Sequence, residues 1–204
     1  MRYLKIKSKL ITTAFCAALT LGNPSFAADP KTSNPDPAEM QKMMQHMMSQ
    51  MTPELREKVQ ALSPKSKQTL GKLQMLHDRR SDSLTMVQIM QEIMADYQRM
   101  ATAIAIEHPE MAIEAAHNLA HHRLPRGGLL AYMPLDTIKD ETVDVLLVFQ
   151  DMVEGNTLRF AEAVKQGDMG RAAGYLGPIA QGCVSCHNYF RGQPGISNML
   201  LPKK

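Results

Sequence analysis

Cysteine is scarce in this chain: there are three in 204 residues, and one of them, Cys16, lies in a leader expected to be cut away. The remaining pair, Cys183 and Cys186, cannot make the framework of a disulfide-stapled fold. A structural zinc site on this pair would need two further Cys or His ligands at matching spacing, and the sequence does not supply them. A thiol–disulfide couple expects strand–helix–strand patterning around its C-x-x-C, but the chain has no alternating strand segments and no internal repeat. Long apolar runs are lacking too. The stretch 10–21 has 12 residues, well short of the roughly 20 that cross a bilayer, which argues against a retained transmembrane anchor.

An excess of charge is the third absence, once the leader is recognised. Arg2, Lys5, Lys7 and Lys9 form a basic start, 10–21 is the apolar centre, and Ser25-Phe26-Ala27 puts small residues where a signal peptidase reads. The expectation is a signal peptide over residues 1–27, cleaved after Ala27. Cleavage takes four of the 23 basic residues and none of the 20 acidic ones. The exported 177 residues then carry 19 basic against 20 acidic side chains, a net charge of about −1. That balance gives no footprint for nucleic acid.

What the chain does have is helical periodicity. Residues 28–38, with Pro30, Pro35 and Pro37 among short polar residues, read as a disordered linker. A Met-rich helical extension follows over 39–80. Its methionines recur at 40, 43, 44, 47, 48 and 51, a single helical stripe. Such a stripe docks a flexible apolar face on a core or partner; the competing reading is a soft-metal site for Cu(I), assisted by His46. Thr52-Pro53-Glu54 and Ser63-Pro64 read as helix starts. His77 reads as an exposed or satisfied side chain rather than a ligand.

Residues 81–192 carry four helical patterns. Ser81 to Ser83 are expected to cap the first, in which Met86, Met90, Ile93, Tyr97, Met100 and Ile104 alternate spacings of four and three. Pro109 opens a second, to about His122, and His117, His121 and His122 read as surface or rim residues. Residues 124–135, with Pro125, Gly127, Gly128 and Pro134, form a crossover loop. Thr137 with Asp140 three residues on resembles a capping box opening a third helix to about Gln166, which Gly155 weakens without ending. Gly167-Asp168 stops that helix and caps a fourth, to about Arg191, in which a kink is expected near Pro178. Residues 193–204 form a tail without pattern.

The fourth helix holds Cys183-Val184-Ser185-Cys186-His187. On a helix, positions i, i+3 and i+4 share a face, so both thiols and the imidazole point the same way. Two such thiols can add to the two vinyl groups along a porphyrin edge, with the neighbouring imidazole under the iron. C-x-x-C-H is the attachment signature of c-type haem.

Four helices, a long connection between the second and third, and the closing Cys183-Val184-Ser185-Cys186-His187-Asn188-Tyr189-Phe190-Arg191 together resemble the cytochrome c-prime family, over about residues 82–192. The resemblance implies an all-α, antiparallel four-helix bundle with one covalent haem c per chain. It implies Cys183 and Cys186 as thioether positions, His187 as the proximal iron ligand, and Phe190 and Arg191 close to the haem. Low-spin members place a Met on the first helix as sixth ligand. Met90-Gln91-Glu92-Ile93-Met94 resembles their R-Q-x-x-M with Met in place of Arg, which favours Met94, with Met90 next. The implied function is a periplasmic mono-haem cytochrome that carries single electrons between redox partner proteins and is not an enzyme. High-spin members instead leave the sixth site open and bind nitric oxide or carbon monoxide. The resemblance also leaves room for a homodimer through exposed helix faces.

Overall fold

The computed structural model describes residues 37–190 and 200–202; the expected signal peptide, nearly all of the expected linker, and Arg191 lie outside them. The described residues are all-α, with no strand among them. The helices are α1 (Pro37–Gln50), α2 (Pro53–Ala61), α3 (Pro64–Met75), α4 (Met86–Ala105), α5 (Pro109–Ala120), α6 (Val145–Gln150), α7 (Asn156–Lys165) and α8 (Met169–Phe190). Two 3-10 turns, Leu129–Tyr132 and Leu135–Thr137, lie in the crossover loop, and a π turn, Asp151–Gly155, joins α6 to α7.

Local chemistry accounts for most of the boundaries. Thr52 and Ser63 cap α2 and α3 as read, with Oγ1 of Thr52 accepting from Leu55 N and Oγ of Ser63 from Ser66 N. Pro53, Pro64 and Pro109 each occupy a first helical position, where a missing N–H costs nothing. Two caps differ from expectation. Helix α4 is capped by Thr85 in a full capping box with Gln88, while Ser81 Oγ accepts from Ser83 N and Leu84 N in the turn before it. The Thr137–Asp140 pair opens no helix. Thr137 Oγ1 donates to the Pro134 carbonyl, and Asp140 accepts from the hydroxyls of Ser63 and Ser66 at the start of α3. A partner distant in sequence takes the carboxylate that a local cap would have used, and the third helix starts only at Val145. Gly155 does not end it, and α8 runs through Pro178 without a break.

Helix α4 packs on α5, α5 on α7, α7 on α8, and α8 back on α4. Two apolar clusters result. The first joins Met47, Met51, Leu55 and Leu70 of α1–α3 to Leu130, Tyr132 and Leu135 of the crossover loop and Leu146 of α6. The second lies among the four packed helices and is rich in alanine: Ala103, Ala112, Ala115, Ala116, Ala163 and Ala172 surround Phe160 and Met100. Crossover and extension meet closely at Gly128, whose φ is +71° and where a Cβ would stand 2.8 Å from the Met47 sulfur, so a side chain is barred twice over.

Candidate cofactor site

Cys183, Cys186 and His187 lie on one unbroken helix, and the structure places them between the two apolar clusters. Toward the start of α8, Ile179 belongs to the second cluster; at its end, Phe190 packs against the first. The motif occupies the interval. Both cysteines are free thiols, half-buried, and His187 is exposed. Burial pushes both thiols upward, Cys186 to about 11, where the nearby Cys183 adds to the effect. Redox-active C-x-x-C pairs depend on a depressed thiol, and both shifts here run the other way.

Helix α8 is packed tightly at Gly182, directly before the motif and one turn from Cys186. A Cβ there would stand 2.8 Å from Val153 Cγ2 and 2.9 Å from Met152 Cβ, so the π turn presses on the helix backbone. Aromatic rings close the other end: Phe149 lies 5.5 Å from Tyr189 and 6.3 Å from Phe190, centroid to centroid. Phe149 was not singled out by the sequence. Its position on α6 becomes meaningful only when α6 packs on α8.

The facing helix is α4. Tyr97 Oη donates to the Leu176 carbonyl at 3.1 Å, and Met86 and Phe190 share the first cluster, so α4 and α8 run antiparallel. Seven residues back from Tyr97 and seven on from Leu176 bring Met90 level with Cys183. Met94 lies level with Ile179 instead, and it is 50% exposed, whereas Met90 is half-buried. The donor set fits a c-type haem: two thiols and an imidazole on one helical face, with an apolar cluster toward each end of the helix.

The methionine stripe of α1 is packed rather than displayed. Met47 and Met51 are buried in the first cluster, and Met43, Met44 and Met48 lie against it. His46, exposed, pairs with Asp82 at 3.1 Å. Of two other histidines, His77 is satisfied as read, buried and hydrogen-bonded, whereas His122 is largely buried rather than a rim residue; both face Glu154 of the π turn. Periodicity could not show this, because their partner comes from a distant segment. Burial pulls His77 downward, but the hydrogen bond and charge of Glu154 outweigh it and the net direction is up; burial likewise opposes Glu154, whose net direction is down. Burial, aided by the neighbouring His77, pushes His122 down to about 4. His117 is exposed and His121 half-buried, 4.7 Å from each other.

No helix among the described residues is long and apolar enough to cross a membrane. No protein-family model, curated protein or solved structure matches the chain.

Proposed function

We propose that this chain is a periplasmic mono-haem c-type cytochrome that relays single electrons, with the signal peptide 1–27 removed. In this reading α4, α5, α6–α7 and α8 are an antiparallel four-helix bundle of the cytochrome c-prime kind. The observation that carries it is Cys183, Cys186 and His187 on one face of an unbroken helix, between two separate apolar clusters. When bound, a haem c supplies one-electron chemistry at its iron.

The chain's residues have definable roles in that reading. Cys183 and Cys186 hold the cofactor by thioether bonds. His187 is the proximal ligand, and the packed rings of Phe149, Tyr189 and Phe190 lie at that end of the helix. Met90 and Met94 are the candidates for the sixth position; the level of Met90 on α4 and the 50% exposure of Met94 favour Met90. No acid–base pair is required, so the protein is a carrier rather than an enzyme, and its partners are redox proteins.

The second reading is a gas-binding cytochrome with an open sixth site, and the outward position of Met94 favours it if Met90 does not ligate. Optical spectra of the ferric and ferrous protein, with and without carbon monoxide, separate the two. A low-spin spectrum indifferent to the gas, lost in Met90→Ala and kept in Met94→Ala, is the expected result. A high-spin spectrum that shifts with carbon monoxide moves the function to gas binding. Absence of covalent haem from the purified protein overturns both. The copper reading of the Met stripe is disfavoured by the burial of Met47 and Met51, whose thioethers already serve the core.

A further inference from the structure

His77, at the end of the extension, His122, just past α5, and Glu154, in the π turn, come from three segments and converge on one buried point. Their side chains are 3%, 15% and 10% exposed. His77 Nδ1 donates to the Leu73 carbonyl at 2.9 Å, which leaves Nε2 facing Glu154 Oε1 at 3.0 Å. With Nδ1 carrying the only proton, a ring lone pair and a carboxylate oxygen face each other, and either a second proton on the ring or a cation between them resolves the clash. His122 Nδ1 stands 3.8 Å from the same oxygen and donates to the Leu119 carbonyl at 3.1 Å, a bond it gives up when the ring takes its other tautomer to ligate an ion. The other carboxylate oxygen is held by Gln150 Nε2 at 2.9 Å, so Glu154 is oriented from behind.

We propose that these three side chains bind one divalent first-row transition ion, of which zinc is the test case. Two imidazoles and a carboxylate are donors that zinc takes. At metal–ligand lengths near 2.1 Å, neighbouring donors around a tetrahedral ion stand about 3.4 Å apart. The 3.0 and 3.8 Å separations straddle that value, and all three donor atoms lie within 4.8 Å of one another, so the set closes on an ion with movements below about 1 Å. The backbone hydrogen bond on His77 is the outer-shell support that ligating imidazoles use to fix their tautomer. The π turn fits the same role: the extra residue turns Glu154 inward, and such turns recur at functional positions. Of the nearby cations, Arg79 Nη1 donates to the His121 carbonyl at 3.0 Å and Arg80 Nη2 to that of Gln74 at 2.9 Å. The plainer alternative is an ion pair of His77 with Glu154 beside a neutral His122 bonded to the Leu119 carbonyl, and in that case Zn2+ leaves the site unaltered. A bound ion would staple the extension to α5 and to the turn that packs on the Cys183 helix, and the inference does not depend on the cytochrome reading.

Equilibrium dialysis of the full, untagged chain against Zn2+ tests it. One ion per chain is expected, with affinity reduced at least about 100-fold in Glu154→Gln and in His122→Gln, and unchanged in the control His117→Gln, which breaks the surface histidine pair. Unchanged binding in Glu154→Gln, or loss in His117→Gln, overturns the assignment. Should the buried variants fail to fold, hydrogen exchange on the unmodified chain decides. Zn2+ is expected to slow exchange in residues 73–80 and 119–124 together, and a chain whose exchange in those segments ignores Zn2+ overturns the proposal.

Discussion

The two apolar clusters are built from different residues for different tasks. The second, among α4, α5, α7 and α8, is dominated by fully buried alanines around Phe160, so helix backbones approach closely and little rotamer freedom is left. The first, between the extension and the crossover loop, uses methionine and leucine with Tyr132, long side chains that fill an irregular gap between short helices and 3-10 turns. Close approach demands small residues at fixed positions, whereas an irregular junction tolerates flexible ones. The proposed cofactor site falls where the two designs meet.

The sharpest way to break the comparison is to empty the alanine cluster. Phe160→Ala is expected to cost about 3–5 kcal/mol in urea denaturation, because the surrounding helices cannot collapse into the space. A loss below about 1 kcal/mol would mean that the cluster is loosely packed after all. A matched pair of substitutions comes next. Ala116→Leu is expected to lose about 1–3 kcal/mol through overpacking, while Met51→Leu, equally buried, loses less than about 1.5 kcal/mol. Equal costs at the two sites would erase the distinction drawn between them.

The smallest effect concerns the seam of the first cluster and depends on pH. Hydrogen bonds from Ser63 and Ser66 hold the Asp140 carboxyl below the usual carboxylate range. A depressed folded value means that this contact helps above the ordinary carboxylate range and is lost as pH falls through the lower folded value. Amide exchange in the first turn of α3 is therefore expected to quicken on acidification in the native chain. Asp140→Asn removes that dependence, and a variant that retained it would point to a different titrating group.

Much of the helical layout could be read without the structure, because caps and stripes act within a few residues of themselves. Thr52, Ser63 and the prolines at 53, 64 and 109 start helices where they were expected to. Errors arose where a side chain had a choice of partners. Ser81 and Thr85 are both competent caps, and only the reciprocal Gln88 distinguishes the second. Thr137 and Asp140 had the spacing of a capping box, but Asp140 found the serines of α3, more than 70 residues away in the chain.

That Cys183, Cys186 and His187 share a helical face follows from their spacing alone, because a 3.6-residue period is a property of the backbone and needs no partner. The same holds for the methionines of α1, which form one stripe. What each face meets was settled by packing: that Met47 and Met51 are buried in the first cluster, that Met94 is 50% exposed, and that His77, His122 and Glu154 converge. Pairings of that kind depend on how helices distant in sequence pack and turn against one another, and local periodicity carries no record of it.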